Sequence, residues 1–201
     1  IFIDFTASDV SCAGLSDGEI DIEVLGGTGA FTFLWTGPSI TGLNETQEDQ
    51  TNLAAGEYTL TVTDENDCTD MVAITIDEPL SILVSEVITP VNCAGESTGA
   101  IDITATQGVG NFTYLWTGLS ITVATQEFED QVALAAGSYA VIITDDNGCS
   151  IEVVYNVLEN EPIVITGVVT DIVCNGDSTG AIAIEVEGGQ AMYTYVWTGL
   201  L

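Results

Sequence analysis

The chain is 201 residues long and carries 31 Asp and Glu with no Lys, Arg or His, a formal net charge of -31. Nothing in it can neutralise phosphates, which excludes nucleic acid and anionic membrane surfaces as partners, and the carboxylates, hydroxyls, thiols and phenols that remain are a poor kit for catalysis at neutral pH, so the chain reads as a non-enzyme. Hydrophobic residues make up 46% and charged residues 15%, the balance of a folding chain and not of a disordered acidic tail, and no apolar run is long enough to cross a bilayer.

The first residues, "IFIDF" at 1–5, already read as a strand, so a secretion signal is expected upstream of them. Beyond them the sequence repeats. Cys12, Cys93 and Cys174 lie 81 residues apart, as do Trp35, Trp116 and Trp197, and Gly18, Gly99 and Gly180. Tyr58 with Tyr139, Asp64 with Asp145, and Cys68 with Cys149 keep the same interval, which marks a tandem array. Taking the "EP" dipeptides as seams gives repeat one at 1–79, repeat two at 80–162 and a partial repeat three at 163–201. Repeat three stops shortly after its tryptophan, so the sequence reads as a window of a longer array.

Repeat two shows the elements most clearly. Strands are expected at 80–90, 99–106, 111–117, 138–145 and 149–158, each alternating apolar and polar residues with the period of a half-buried antiparallel strand. Ile101 and Ile103 face inward from the second, Phe112, Tyr114 and Trp116 from the third, Tyr139, Val141 and Ile143 from the fourth, and Ile151, Val153 and Tyr155 from the fifth. The turns fall at Gly108–Gly110 and at Asn147-Gly148. The span 118–136 is expected to hold one or two edge strands, such as "SITVAT", with "EFEDQVAL" as a fourth strand of the first sheet. Gly-x-Tyr before a strand, at Tyr58 and Tyr139, has the form of the tyrosine corner of immunoglobulin-like sandwiches, with Trp35, Trp116 and Trp197 in the core. About seven short strands per repeat and no helix give an all-β chain of tandem Ig-like antiparallel β-sandwiches, stacked end to end.

The runs "VNCAGESTGAIDITATQGVGNFTYLWTG" and "LAAGSYAVIITDDNGCSIEVVYNVLENEP" resemble the SprB-type repeat of giant surface adhesins in gliding Bacteroidota. The shared pattern is C-x-G-x-x-x-G-x-I, a Gly pair, aromatic-x-aromatic-x-W, L-x-A-G-x-Y and D-x-x-G-C, met in both full repeats and in the partial one. Gln107 departs from it where the first Gly of the pair is expected, and Asp67 where a Gly precedes Cys68. The resemblance implies an extracellular, cell-surface or filament location after export by the type IX system. It implies a stalk whose partners are neighbouring repeats, with surface glycans or a substratum engaged by other regions.

Several motifs carry a chemical reading beside a structural one. "GLSDG" at 14–18, "GESTG" at 95–99 and "GDSTG" at 176–180 fit the G-x-S-x-G nucleophile pattern, but no His exists to take the serine proton and each motif precedes a strand. Asp64, Asp67, Asp145 and Asp146 concentrate at two equivalent turns, where oxygen ligands could suit Ca²⁺; solvated turns are the other reading, and no cofactor is required. The segments 37–50 and 118–131 are the least regular and are candidate loops for a glycan or protein partner. Five cysteines, Cys12, Cys68, Cys93, Cys149 and Cys174, at repeat-fixed positions argue for disulfides in an exported protein. Pairing within repeats would join Cys12 with Cys68 and Cys93 with Cys149. In an Ig-like sandwich those turns lie at opposite ends, whereas bridged Cα atoms must come within about 7 Å, so geometry leans to Cys12 with Cys149 across the seam while base rates lean to the domain interior.

Overall fold

The computed structural model describes residues 1–190 and 192–199, and among these the chain forms strands and turns with no helix. Repeat one supplies β1 (Phe2–Ser8), β2 (Gly18–Leu25), β3 (Thr32–Thr36), β4 (Gln50–Leu53), β5 (Gly56–Thr63) and β6 (Thr69–Ile76). They form two three-stranded antiparallel sheets, β1-β2-β4 and β3-β5-β6. Alternation decides the faces: Ile20 and Ile22 of β2 point inward while Glu19, Asp21 and Glu23 point to solvent, and Tyr58, Leu60 and Val62 do the same from β5. Trp35 pairs with Leu60 and Tyr58 with Ile74 in the second sheet, so both large aromatics enter one core with Ile3, Leu53 and Ile76.

Repeat two builds the same plan from β7 (Leu83–Thr89), β8 (Gly99–Thr106), β9 (Phe112–Gly118), β10 (Gln131–Leu134), β11 (Gly137–Asp145) and β12 (Ser150–Val157), with sheet orders β10-β8-β7 and β12-β11-β9. Ile101, Ile103, Trp116, Tyr139, Val141, Ile143 and Tyr155 are buried in it, as the alternation predicts, while Phe112, Tyr114, Ile151 and Val153, also expected to face inward, are half-buried. The chain is all-β and its full repeats are Ig-like sandwiches. Six strands serve each of these, where the sequence suggested about seven. "SITVAT" is not a strand: Thr125 and Gln126 donate backbone N–H groups to the Thr122 carbonyl at 3.0 and 2.9 Å, and the Thr122 N–H donates to the Thr125 hydroxyl at 3.1 Å. Local hydroxyl bonding there overrides the β preference of the branched residues. "EFEDQVAL" contributes only Gln131–Leu134, and these do join the β7-β8 sheet.

Repeat three supplies a two-stranded hairpin, β13 (Val164–Thr170) with β14 (Ala181–Glu187), in register from Val164 opposite Glu187 to Thr170 opposite Ala181. Here the expectation for the tryptophans is corrected. Trp35 and Trp116 are each 1% exposed, but Trp197 is 62% exposed. The strands that cover Trp35 and Trp116, β4 to β6 and β10 to β12, follow them in sequence, and among the described residues no strand follows Trp197.

Two compact units divide the chain. One comprises Ile1–Val84, Ala105–Thr113 and Ile143–Ile151; the other comprises Ser85–Thr104, Tyr114–Ile142 and Glu152–Leu201. These units cut through repeat two, so the bounds 1–79, 80–162 and 163–201 remain a division by sequence period.

Candidate functional site: cysteine-bearing turns and tryptophan loops

In the first compact unit the turn between β1 and β2 is fixed by its own polar residues. The Leu15 N–H donates to the Cys12 carbonyl at 3.1 Å, and the Gly14 N–H to the Glu78 carboxylate at 2.7 Å. The Ser11 hydroxyl and backbone N–H both donate to Asp17 and hold its carboxyl below the ordinary aspartate range. The G-x-S-x-G motif thus folds as a tight turn opening strand β2. The first of its equivalents runs the same way: the Gly95 N–H donates to Glu159 at 2.8 Å and the Glu96 N–H to the Cys93 carbonyl at 3.1 Å.

The two aspartate-rich turns are also built alike. Asp64 accepts from the N–H groups of Asn66 and Cys68 through one oxygen, at 2.9 and 3.0 Å, and from that of Thr28 through the other, at 3.1 Å. Asp145 repeats this with Asn147, Cys149 and Val109 at 3.0 Å each. Desolvation tends to raise the Asp64 pKa, but the Cys68, Asn66 and Thr28 donors outweigh it and leave the carboxyl below its ordinary value. Asp146 accepts from the backbone and side-chain N–H groups of Asn111 at 2.8 and 3.0 Å. Asp67 stands with φ 62° where Gly148 has φ 84°, and Gln107 with φ 62° where Gly26 has φ 73°. Both departures from the repeat pattern therefore fall where left-handed backbone is what favours glycine. Of the four candidate calcium ligands, Asp64 and Asp145 are engaged by backbone donors and Asp146 by Asn111. Among the described residues no group of three or more Cys, Asp or Glu is gathered as a metal would need.

Cys12 and Cys149 form a disulfide, S–S 2.07 Å and Cα–Cα 5.5 Å, across a sequence separation of 137. It unites the β1-β2 turn of repeat one with the β11-β12 turn of repeat two, so Cys12 does not pair with Cys68 nor Cys93 with Cys149. Cys68, Cys93 and Cys174 are free and exposed.

The irregular loops are ordered by buried polar side chains that the sequence reading passed over. The Trp35 indole N–H donates to the Gln47 carbonyl at 2.9 Å, and the Gln50 amide to the Asn44 carbonyl at 2.8 Å; Trp116 with Phe128 and Gln131 with Thr125 repeat the scheme at 2.9 and 2.7 Å. The Tyr58 hydroxyl donates to the Ala54 carbonyl at 2.8 Å and sits 3.1 Å from the Ser39 hydroxyl, which in turn accepts from the Ala54 N–H. Tyr139, Ala135 and Ser120 match it, completing both tyrosine corners. The 81-residue recurrence of Ser39 and Ser120, and of Gln50 and Gln131, was the signal that could have found these residues. Beside the second loop, partial burial together with the Glu129 carboxylate, which accepts from the Tyr114 hydroxyl at 3.0 Å, pushes the Tyr114 phenol up to about 12. The outer faces of these loops expose apolar side chains: Leu43 in the first, and Leu119, Val123 and Phe128 in the second.

A family model described as the SprB repeat matches the chain at residues 5–39, 85–121 and 166–201, more than half of its length. Each matched span holds one cysteine of the first turn type and one tryptophan. No curated protein matches. Among solved structures, the chain is similar to one titled "Crystal structure of Dpr11 IG1 bound to DIP-gamma IG+IG2", at 11% identity over 79% of this chain and 99% of that one, with a TM-score of 0.29. It is also similar to one titled "Structure of surface layer protein SbsC, domains 1-6", at 14% identity over 85% of this chain and 32% of that one, with a TM-score of 0.25.

Proposed function

Because the chain belongs to the SprB repeat family, we propose that it is a non-catalytic segment of a long secreted cell-surface adhesin or filament stalk, supplying reach and mechanical stability. The observation that carries this reading is the Cys12–Cys149 bond, which ties two successive repeats covalently. A stalk gains from such a tie because tension crossing the joint is borne by a covalent bond as well as by side-chain packing. Pro79 and Pro162 act in the same sense: each fixes its own φ and restricts the residue before it, limiting bending between repeats. With no Lys or Arg, the chain offers trypsin-like proteases no cleavage site, and like charge on every repeat discourages bundling. Its partners in this reading are neighbouring repeats, the surface ligand being engaged elsewhere.

Electron microscopy of the native fibre tests this. Repeats stacked end to end give an axial spacing of roughly 35–45 Å, from about 11–12 residues of extended strand at about 3.3 Å each. Repeats packed side by side would overturn it.

The exposure of Leu119, Val123 and Phe128 on one loop favours a second reading, a repeat module that binds glycans or a protein partner through its loops. Specific retention on a glycan array by the whole chain, abolished by Phe128→Ala, would favour it over the stalk.

A further inference from the structure

The two outer sheet faces of repeat one differ in charge. On the first sheet, the register sets Asp4 of β1 opposite Glu23 of β2, and Glu19 and Asp21 stand on the same side of β2, so this face is acidic along its length. On the second sheet, the residues that alternate with Trp35, Tyr58 and Leu60 are neutral. Leu34, Thr61 and Met71 lie side by side across β3, β5 and β6, with Thr59 and Thr63 flanking Thr61 along β5. Leu34 is 52% exposed and Met71 67% exposed. Glu57 is the one carboxylate among these outward residues, and it stands at the end of β5 opposite Thr75.

Charge then says what this neutral face can meet. With 31 Asp and Glu and no Lys, Arg or His, no part of one copy of the chain attracts another, and repulsion opposes contact wherever both bring carboxylates. Of the two sheet faces of repeat one, only that of β3-β5-β6 can approach its own likeness without that cost. Its shape fits the same occupant. It carries no aromatic ring on which a sugar could stack, and Thr, Leu and Met side chains standing out from paired strands are what a second sheet packs against, about 10 Å away. Repeat two supplies the contrast: Glu152 stands exposed where Met71 does, 81 residues later, so a carboxylate interrupts the equivalent face.

We propose that the outer face of β3-β5-β6 is a self-association surface, on which a second copy of this chain packs sheet to sheet. The pair is two-fold, with the strands of the two copies antiparallel. Leu34 then meets Leu34 and Met71 meets Met71, while the two Glu57 carboxylates go to opposite ends; a two-fold axis along the strands would instead stack Glu57 on Glu57. Each copy covers the other's face, so association closes at two. Like charge opposes contact through the remaining surfaces, and pairing does not grow into bundles. Eight residues of β5 at about 3.3 Å each, across three strands about 4.8 Å apart, give a patch of roughly 380 Å² per copy. This is under half of the about 800 Å² per partner of a standard interface, so the pair is weak and salt governs it. The surface is independent of whether the chain acts as a stalk or binds through its loops.

The test is sedimentation equilibrium of the whole chain at up to millimolar concentration. Its free thiols are capped with iodoacetamide and a chelator is present, so that neither new disulfides nor divalent ions can bridge copies. A monomer–dimer equilibrium is expected, strengthening as NaCl rises toward about 0.5 M, where the screening length falls to about 4 Å. Met71→Glu gives repeat one the residue that repeat two carries there, and should weaken the dimer about tenfold or more, because like charges then face each other across the contact. Ser85→Asp gives repeat two the carboxylate that repeat one carries at Asp4, adds the same charge away from the face, and should leave the dimer unchanged. Both positions are exposed and each takes a residue its counterpart already bears, so the fold is retained, which far-UV circular dichroism checks. The proposal is overturned if the chain stays monomeric at every salt concentration, even where a neutral glycan retains it through Met71. It is equally overturned if the two substitutions act alike or if salt weakens the dimer.

Discussion

Gly118 lies so close to the ring of Tyr139 that a Cβ at that position would sit 2.3 Å from the tyrosine Cδ1, and Gly37 stands in the same relation to Tyr58. This close approach lets the ring lie flat under the end of β9 while its hydroxyl reaches Ala135 and Ser120. The glycine of the Trp-Thr-Gly run is therefore part of the tyrosine corner, although it stands 21 residues before the tyrosine.

Gly118→Ala should displace the ring and loosen both hydroxyl contacts. Overpacking of this kind destabilises by about 1–3 kcal/mol. Chemical denaturation followed by tryptophan fluorescence reads this directly, because Trp116 shares the core with Tyr139. An unchanged midpoint would mean that the ring yields without cost.

The strands were the most legible part of this fold, since each full repeat alternates apolar and polar residues with little interruption. Ile101, Ile103, Tyr139, Val141 and Ile143 lie where the alternation places them, and the tyrosine corner could be named from Gly-x-Tyr alone. Segment 118–131 was harder because Thr and Val favour strands in isolation, while Thr122 and Thr125 here bond to one another and to backbone. Gln50 and Gln131 escaped notice because a polar residue beside a loop reads as solvated, yet each is buried and holds its loop through its amide. Cysteine spacing alone could not select the disulfide, because the 56-residue interval from Cys12 to Cys68 is as regular as the longer interval to Cys149. Strand topology, which sends the two turns of a sandwich to opposite ends, supplies the discrimination.

Acid should weaken the Asp64 turn. The Asp64 carboxyl lies below its ordinary value because Cys68, Asn66 and Thr28 donors outweigh desolvation, so its contribution is fully present above the unfolded-state value of 3.8 and is lost as pH falls through the lower folded-state value. Protonation of the other carboxylates relieves repulsion at the same time, so the comparison must be with a variant. Asp64→Asn replaces one accepting oxygen by an amide nitrogen that cannot accept from Thr28. The variant should melt below the parent at pH 7, and the gap should close as pH drops below about 4. A gap that does not vary with pH would assign the loss to shape and not to charge.

Removal of divalent cations should leave each sandwich folded. Asp64, Asp145 and Asp146 already have hydrogen-bond donors on their carboxylates, so the turns are satisfied without an ion. With a net charge of -31, diffuse association with Ca²⁺ or Mg²⁺ is still expected, and a chelator should make the chain more flexible between repeats. Circular dichroism melts with and without chelator should superimpose, while scattering reports the greater flexibility. Cooperative unfolding on chelation would make calcium a structural cofactor.

Reduction of Cys12–Cys149 should lower stability without dissolving the sheets. The bond closes a loop with a sequence separation of 137, and in the chain-entropy picture a loop of that size restricts the unfolded ensemble by about 5 kcal/mol. That figure holds for a chain that unfolds as one; where repeats one and two unfold separately, only part of it reaches each transition. Far-UV circular dichroism below the transition should be unchanged by reduction, because the ladders within each sheet do not involve the sulfurs. The denaturation midpoint should fall, and Cys149→Ser should reproduce the fall under oxidising conditions. Cys68→Ser and Cys93→Ser should leave the midpoint of the isolated chain where it is, since both thiols are free and exposed. If all three substitutions act alike, the loss belongs to the turns that carry the cysteines and not to the covalent tie between repeats.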